Sequence, residues 1–592
     1  VYLATGQGLG VLEGATLSWQ KAADGRLPDD DVLSVSADAG KVVAGCSTGI
    51  ATVGGASVKA EKGGLPAGDV IALAAGGAIL GHARGATVRT GERRDHYVGL
   101  RWVPDDRVQA VAMGVDAPAP DEGPSIWLGT PEGVSRIRLR DTTLAAKAES
   151  VFQKLPHFWR MDGFVAPDAR VDDGRNPSKW DPLWDSDNDG LWTQMAIGAF
   201  CYAYAVTKDE PHYAAARKAM DTMFLEIDVP AADFRKAGLG RGFVTRSLIR
   251  DDEGALFDSH ATETRWHLVE HTDGHAYYWK DDTSSDETTG HFFGYPLFFD
   301  LCAKDDAERA AVAEHAGALA SYIVEGGYTL RDLDGQPTSF GHWEPSIIAI
   351  AVDGLPACAE AGNSIEDCAY AAFGGGWLNG IEILGHMLAA WHMTGDPKFK
   401  AAYEELCTTH RYCEAVRFHD QIATVVSPRI ANHSDHELAM LAYHTLIRYE
   451  PDDARRAMWV ADLLAFWAWE SGGVAKAGDE RQPLWAAFVA LAAGGEGRAD
   501  AFADAAQSLR EYPGDLVLFR FDNTHRKDAG DWPNDRFDDP QFDTVFPYDE
   551  IAQMWWNGNP YNKVDGGDGR SLQGPMAFLL AYWAQRYAGM LQ

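Results

Sequence analysis

The feature that most constrains the fold is an alternation of apolar and amphipathic helical segments after residue 141. Apolar segments rich in Gly and Ala are predicted near residues 190–207, 286–303, 377–394, 435–449, 482–494 and 570–588. Amphipathic segments follow five of them, near 209–228, 306–325, 396–412, 452–469 and 498–510, and a segment near 141–155 supplies a further partner. Helices that are apolar all round belong inside a fold, and amphipathic helices belong at its surface. The pattern therefore predicts six inner and six outer helices.

Two segments indicate how these helices pair. "FCYAYAVTKDEPHYAAARKAMDTM" near residue 200 and "MLAAWHMTGDPKFKAAYEEL" near residue 387 each end an apolar helix at Thr-x-Asp. An amphipathic helix restarts after a short turn, which is the pattern of an αα-hairpin. Six such hairpins make an (α/α)6 toroid. The helix count and the hairpins resemble the six-hairpin glycosidase and polysaccharide-lyase superfamily over residues 141–592, and this resemblance implies an all-α, carbohydrate-active catalytic domain.

Residues 1–140 are predicted to form a separate all-β domain. "LPDDDVLSVSAD", "LPAGDVIALAAG" and "VPDDRVQAVAMG" place Pro28, Pro66 and Pro104 at intervals of 38 residues. A period near 40 residues, with short strands between Gly-rich turns, is typical of propeller blades. The repeats, "GTPEGVSRI" above all, resemble the blades of bacterial sensor-type β-propellers. The resemblance implies a small or partial propeller that packs on the helical domain as a scaffold.

The charge of the chain excludes two classes of partner. Its 52 Lys and Arg residues against 87 Asp and Glu residues give a formal net charge of −35. Binding to nucleic acid or to an anionic membrane needs a basic surface, so neither is expected. No apolar run reaches the roughly 18–20 residues that span a bilayer.

The cysteines and the first residues predict a bacterial protein that is secreted or periplasmic. Cys358 with Cys368 and Cys407 with Cys413 are spaced for local disulfides, which form in an oxidising compartment. Reduced, partly buried thiols are the alternative. The chain opens on the strand-like "VYLATGQGLGV", without Met or a signal peptide, which predicts a processed start.

Clustered polar residues stand at the starts of the predicted inner helices. They occur in "WDPLWDSDNDGLWTQ", "WKDDTSSDETTGHFFGY", "GGGWLNGIEIL", "ANHSDHELAMLAYH" and "WWNGNPYNKVDGGDGR". Because the inner helices of an up-and-down toroid all run the same way, these segments are expected to meet at one mouth. The catalytic candidates at this mouth are Asp189, Asp286, Glu287, Glu382, His433, Asp435 and His436, with Glu437 as a further carboxylate.

A second set of side chains at the same mouth suits a sugar. Indole rings stack on the C–H faces of sugar rings, while amide, imidazole and hydroxyl groups bind sugar hydroxyls. The predicted substrate-binding residues are Trp192, His291, Trp377, Asn379, Asn432, Tyr443, His525, Trp556, Asn557 and Asn559. For about half of the tryptophans near the mouth, a place in the core is the alternative.

Helix capping is the structural alternative for three of the glutamates. The spacing of a capping box is found in Ser284 with Glu287, Asn379 with Glu382, and Ser434 with Glu437. Capping leaves the neighbouring Asp286, His433 and His436 unexplained, and each is costly to bury without partners.

Two metal hypotheses follow from spacing. Asp185, Asp187 and Asp189 have the oxygen-ligand spacing of a calcium loop, although Ala196 stands where an EF-hand has its last Glu. His433 and His436, three residues apart, could face one transition-metal ion, as could Glu287 with His291 one helical turn apart. No signature such as HExxH supports a transition metal.

Paired carboxylates at such a mouth predict a glycoside hydrolase that cleaves a poly- or oligosaccharide. A polysaccharide lyase is the first alternative, because Asn432 and His433 resemble the Asn-His pair of alginate-lyase-type toroids, with Tyr443 or Tyr295 as the acid. A sugar epimerase with a His pair, a metal-dependent enzyme and a non-catalytic carbohydrate-binding protein are the others.

Overall fold

The computed structural model describes residues 1–591 except 39, 55–56, 63, 92, 115–121, 347, 349–375, 418–432, 469–476, 532–540 and 553–554. Antiparallel strands dominate up to residue 140, and helices dominate after it. This order confirms a strand-rich N-terminal region followed by a helical region.

Residues 2–140 form four antiparallel sheets, each built from consecutive strands. The strands are β1 (Tyr2–Thr5), β2 (Gly8–Glu13), β3 (Thr16–Gln20), β4 (Val32–Asp38), β5 (Lys41–Cys46), β6 (Gly49–Gly54), β7 (Ser57–Lys62), β8 (Ala72–Ala74), β9 (Ile79–Gly81), β10 (Ala86–Thr90), β11 (Arg93–Tyr97), β12 (Ala110–Gly114), β13 (Glu122–Thr130) and β14 (Gly133–Arg140). The sheets contain β1–β3, β4–β7, β8–β11 and β12–β14. Pro28, Pro66 and Pro104 each precede the first strand of a sheet, so one 38-residue repeat corresponds to one sheet. The first strands of successive sheets contact each other.

The helical region repeats the predicted alternation. Its helices are α1 (Leu144–Phe152), α2 (Asp189–Thr207), α3 (Glu210–Lys236), α4 (Ala255–Ser259), α5 (Ser285–Leu297), α6 (Asp306–Glu325), α7 (Asn379–Thr394), α8 (Pro397–Glu404), α9 (Tyr412–Ala415), α10 (His433–Tyr449), α11 (Asp453–Ala468), α12 (Pro483–Ala493), α13 (Ala499–Glu511) and α14 (Met576–Tyr587). The predicted apolar segments correspond to α2, α5, α7, α10, α12 and α14. The last prediction began too early, because residues 564–573 are a strand.

The apolar helices pack on one another around a shared core. Helix α2 packs on α5 and α14, α10 packs on α5, α7 and α12, and α12 packs on α14. Each amphipathic helix packs on an apolar one, as α3 does on α2 and α11 on α10. Tyr202, late in α2, is hydrogen-bonded to His444, late in α10, at 2.9 Å. Helices α2 and α10 therefore run in the same direction.

Glycine allows the closest of these contacts, between α2 and α5. A Cβ at Gly290 would lie 2.7 Å from the Cα of Leu191, and one at Gly294 would lie 2.9 Å from the carbonyl oxygen of Gln194. Real Cβ atoms do not approach backbone so closely. The start of α5 is thereby held directly against the start of α2.

The helical region also contains short sheets, so it is not purely α-helical as predicted. Their strands are β15 (Trp159–Arg160), β16 (Phe164–Val165), β17 (Asp168–Arg170), β18 (Leu248–Arg250), β19 (Trp266–Glu270), β20 (Ala276–Lys280), β21 (Thr329–Arg331), β22 (Pro337–His342), β23 (Val517–Asp522) and β24 (Val564–Gln573). They pair as β15–β16, β17–β24–β23, β18–β20–β19 and β21–β22. These strands lie in the connections that lead to α2, α5, α7 and α14, so they brace the segments that carry the candidate site.

Cysteine pairing and membrane topology were also predicted. Cys407 and Cys413 form a disulfide, with their Cα atoms 4.7 Å apart, which confirms that local pair. Cys358 and Cys368 lie outside the described residues. None of the helices in the described part of the chain is both long and apolar enough to cross a membrane.

Candidate active site

The starts of α2, α5, α7 and α10 lie together and bring several carboxyl groups into one electrostatic environment. Asn188 donates from Nδ2 to Asp286 Oδ2 at 3.2 Å, which joins the start of α2 to α5. Burial raises the pKa of Glu437 on α10 well above its usual range, and the charge of Asp286 raises it further. Burial and Asp286 also raise the pKa of Glu382 on α7. Carboxyls from three helices therefore influence one another's protonation.

Glu382 is the carboxyl best placed to hold a proton at neutral pH. Its side chain is fully buried, and its Oε2 accepts a hydrogen bond from Trp343 Nε1 at 3.0 Å. Its Oε1 has no hydrogen-bond partner among the described residues. Burial raises the pKa of Glu382 to about 8, with the Trp343 indole opposing the rise and Asp286 adding to it. Glu437 is equally buried.

Asp286 differs from these glutamates because it is only half-buried. Burial raises its pKa, while the Arg246 guanidinium and the Asn188 amide oppose the rise. A negative charge is thus better supported on Asp286 than on Glu382 or Glu437. Asp435, half-buried in the first turn of α10, adds its charge to those that raise the pKa of Glu382.

Helix capping does not account for the three glutamates. Ser284 caps α5 by accepting from the Glu287 N–H at 3.5 Å, as predicted, but the Glu287 carboxylate accepts from the Leu191 N–H at 3.1 Å instead. The N-cap of α7 is Leu378, whose side chain makes no capping hydrogen bond. The predicted cap residue Asn379 donates to the His342 carbonyl at 2.7 Å.

The third predicted cap, at the start of α10, is also wrong. Helix α10 begins at His433 in the described residues, which puts Ser434 inside the helix rather than at its cap. Glu437 Oε1 is buried without a hydrogen-bond partner in the described part of the chain. A solvent-exposed capping carboxylate would not be placed in this way.

Behind this surface, Glu226, Glu287 and His291 form a fully buried group. One carboxylate oxygen of each glutamate and one ring nitrogen of the histidine lie within 4.8 Å of one another. Burial raises the pKa of Glu226 to about 7, and His291 opposes the rise. Burial and the charges of Glu226 and Asp189 raise the pKa of Glu287 well above its usual range.

Glu226, on the outer helix α3, was not predicted from the sequence. The signal was present, because Glu226 falls among Met223, Ile227 and Pro230 on the buried face of that helix. An acidic residue at such a position requires a partner or a raised pKa.

Asp189, the first residue of α2, has basic and polar partners. Its carboxylate accepts from Arg160 at 2.6 Å and from the Ser247 hydroxyl. Burial raises the pKa of Asp189 to about 6, while Arg160 and Ser247 oppose the rise. Arg160 and Ser247 lie on distant segments and were not predicted. Asp189 therefore resembles a structural ion pair at the helix start more than a catalytic carboxylate.

The carboxylates of the predicted calcium loop have separate partners. Asp185 pairs with His260 at 3.2 Å, and Asp187 pairs with Lys280. Asp189 pairs with Arg160 as described. The three aspartates are not among the groups of described residues whose ligand atoms converge. Their spacing thus reflects three ion pairs, and the calcium prediction is not supported.

His433 and His436 do converge, on a carboxylate that the sequence did not suggest. Glu480 Oε1 lies 2.9 Å from Nδ1 of His433 and 2.6 Å from Nδ1 of His436. Trp485 donates from Nε1 to Glu480 Oε2 at 3.2 Å. Burial would lower the pKa of His436, but the Glu480 carboxylate outweighs it and raises that pKa. Burial likewise opposes ionisation of Glu480, yet the two histidines lower its pKa. Glu480 therefore carries the negative charge of this group, and its ligand atoms could also hold a metal ion.

The predicted tryptophans are core residues. Trp377 is fully buried and donates from Nε1 to the Tyr443 hydroxyl at 3.0 Å. Tyr443, also buried, donates to Asp462 Oδ2 at 2.6 Å. Trp192 and Trp556 are buried and stacked with ring centroids 6.3 Å apart. None of these three indoles offers an exposed face to a sugar in the described structure.

The remaining predicted ligands are dispersed. Asn557 and Asn559 are half-buried, and Asn559 Oδ1 accepts from the Tyr561 N–H at 2.9 Å. His525 lies 3.0 Å from His96 of the strand-rich region, so it serves a contact between the two regions. Asn432 lies outside the described residues.

Exposed aromatic rings do occur beside the candidate site. Trp184, in the segment before α2, is 64% exposed, and Phe340, at the end of β22, is 54% exposed. The Arg246 guanidinium lies 5.9 Å from the centre of the Phe340 ring. Trp184 and Phe340 are thus the accessible stacking surfaces near Asp286.

A cavity of about 610 Å³ lies elsewhere, at the opposite ends of α7 and α10, and is lined by Trp391, His392 and Arg448 among others. Asp300 in its wall lies 2.7 Å from His392 and 3.2 Å from Arg448. The charges of this wall satisfy one another, so the converging carboxyls at the helix starts are the better candidate site.

Comparison with known proteins gives no assignment. No protein-family model matches the chain, and no curated protein matches it significantly. The candidate site is therefore interpreted from its own chemistry.

Proposed function

We propose that the protein is a glycoside hydrolase whose site lies at the starts of α2, α5, α7 and α10. The observation that carries the proposal is the pairing of unlike carboxyls there. Asp286 is half-buried and supported by polar partners, whereas Glu382 is fully buried with a pKa raised to about 8. Glycosidic hydrolysis needs one carboxyl that stays protonated and a second that stays ionised.

The arrangement of the helices supports an (α/α)6 toroid as the scaffold. Each apolar helix packs on apolar neighbours, from α2 through α5, α7, α10, α12 and α14 and back to α2. The first strands of the four N-terminal sheets likewise contact in succession, which is the arrangement expected of propeller blades. The Cys407–Cys413 disulfide favours a secreted or periplasmic location.

In this mechanism Glu382 donates its proton to the glycosidic oxygen as the bond to the anomeric carbon breaks. Asp286, ionised, acts on the anomeric carbon, directly as a nucleophile or through a water that it deprotonates. The negative charge on Asp286 helps to keep the proton on Glu382, so the two roles reinforce each other. Glu437 is a second buried proton carrier beside them.

A neutral glycan suits the site better than a uronate polymer. The chain carries a formal net charge of −35, which repels polyanions. Trp184 and Phe340 offer exposed rings on which neutral sugars can stack. The tyrosines considered for a lyase are already engaged, because Tyr443 donates to Asp462 and Tyr295 donates to the Met223 carbonyl at 3.3 Å.

The test is turnover on a panel of neutral and acidic polysaccharides. We expect new reducing ends without new absorbance at 235 nm, and loss of turnover in Glu382→Gln and in Asp286→Asn. Glu450→Gln is the matched control, since Glu450 is a buried glutamate just beyond the far end of α10. New 235 nm absorbance would identify a lyase, and binding without turnover would identify a carbohydrate-binding protein.

A second candidate, a sugar epimerase, is favoured by the histidine pair alone. Both Nδ1 atoms are held by Glu480, so both Nε2 atoms are left to exchange protons with a substrate. Incorporation of solvent deuterium into a free sugar, without cleavage of any oligosaccharide, would favour this function over hydrolysis.

A further inference from the structure

We propose that Glu226, Glu287 and His291 bind one divalent transition-metal ion, of the class of Zn²⁺ or Mn²⁺. This group lies behind the proposed hydrolase site, and the proposal does not depend on carbohydrate cleavage. Two carboxylates and one imidazole are a donor set suited to these ions.

Unsatisfied donor atoms are the first evidence. Both carboxylate oxygens of Glu226, Oε1 of Glu287 and Nε2 of His291 are buried without hydrogen-bond partners in the described part of the chain. All three side chains are 0% exposed. Buried polar atoms are nearly always partnered, so four unpartnered atoms on three converging side chains call for an occupant.

The orientation of His291 is the second evidence. Its Nδ1 lies 2.8 Å from the Glu287 carbonyl oxygen, and since a carbonyl only accepts, Nδ1 carries the proton. In a neutral ring, Nε2 then presents its lone pair. Nε2 lies 3.2 Å from Glu226 Oε2 without hydrogen-bond geometry. A histidine fixed through one nitrogen, with the other facing a carboxylate, is the usual arrangement of a metal ligand.

The backbone around the group is built to admit it. Glu287 and His291 are one turn apart on α5, and Glu226 approaches from α3. Gly190 at the start of α2 leaves the required space, because a Cβ there would lie 2.1 Å from Glu287 Oε2 and 2.4 Å from Glu226 Oε2. The Leu191 N–H donates to Glu287 Oε2, which holds that carboxylate in place and leaves Oε1 for the ion.

The experiment is metal analysis and Co²⁺ reconstitution of the full-length protein. We expect about one equivalent of bound metal, removable by chelator and replaceable by Co²⁺ with visible d–d absorption. X-ray absorption of the Co²⁺ protein should show a single imidazole among oxygen ligands. Two imidazoles would place the ion at His433 and His436 and overturn the proposal, as would the absence of stoichiometric metal.

Variants test the assignment independently. Glu226→Gln and His291→Gln should weaken Co²⁺ binding by more than about tenfold, since loss of even a supporting residue costs that much. His436→Gln, in the other histidine group, is the matched control and should leave the affinity unchanged. The single-imidazole spectrum of the parent protein decides the matter even if a variant fails to fold. Loss of polysaccharide cleavage with the Co²⁺ site intact would refute the hydrolase and leave the metal site standing.

Discussion

The raised pKa of Glu382 makes a prediction about stability as well as catalysis, and Glu382→Gln tests both. Burial raises the pKa of this carboxyl from an ordinary 4.5 to about 8. The folded state therefore keeps the proton that the unfolded chain releases above pH 4.5. Stability is fully present below that pH and is lost as the pH rises towards 8.

The magnitude follows from the linkage between pKa and free energy. Each pH step between the two pKa values costs about 1.4 kcal/mol, so Glu382 lowers the free energy of unfolding by roughly 4 kcal/mol at pH 7.5 and by less than about 1 kcal/mol at pH 5. A glutamine is neutral at both values. It keeps an acceptor for Trp343 but buries an unpaired amide, at a cost of about 1–3 kcal/mol.

We therefore expect Glu382→Gln to gain about 3 kcal/mol relative to the parent protein between pH 5.0 and pH 7.5. Urea unfolding followed by tryptophan fluorescence at both pH values measures this change. Thr445→Val is the control, because Thr445 is buried on α10 and does not titrate. If Glu382→Gln showed the same stability difference at both pH values, the carboxyl would not be held protonated and could not be the general acid.

Three further predictions follow from other contacts. Glu480→Gln removes the anionic partner of two buried histidines, so it should destabilise the fold by about 3–5 kcal/mol in urea at neutral pH, and a loss below about 1 kcal/mol would contradict this. Gly190→Ala forces a methyl group against Glu226 and Glu287, and thermal melting should show a loss of about 1–3 kcal/mol, whereas an unchanged melting temperature would mean that the carboxylates move aside freely. Burial lowers the pKa of His525 to about 4, so the unfolded chain takes up its proton first as the pH falls from 6.5, and stability is lost over that range. His525→Gln should reduce this acid sensitivity in melts between pH 7 and pH 4, and an identical acid profile would refute the assignment.

The order of the helices could be predicted because their patterning is local. Segments such as 189–207 and 306–325 have long uniform faces, and their bounds match the expectation closely. Residues 564–573 misled because a strand that pairs with β17 and β23 is stabilised by partners hundreds of residues away in sequence. The period of 38 residues was likewise visible, while the number of strands in each sheet was not.

The site was predictable in part, for the same reason. Asp286, Glu287 and Glu382 stand in first turns, where chain direction alone brings them together. Their partners Glu226 and Glu480 come from other elements, and only the packed structure shows that they converge. Tryptophans failed as a signal because an indole near a loop, such as Trp377, reads the same whether it faces a sugar or the core.

The cost of the buried carboxyls is itself an argument for function. Glu226, Glu287, Glu382 and Glu437 are each buried with a raised pKa, and each lowers stability at neutral pH. Replacing buried charged groups by apolar ones of similar volume is often neutral or stabilising, so packing alone does not require four glutamates. All four lie around the starts of three apolar helices, whereas the far ends of α7 and α10 carry charges that satisfy one another. Perturbed groups gathered at one end of a fold, at a cost in stability, are expected where their protons or lone pairs are used.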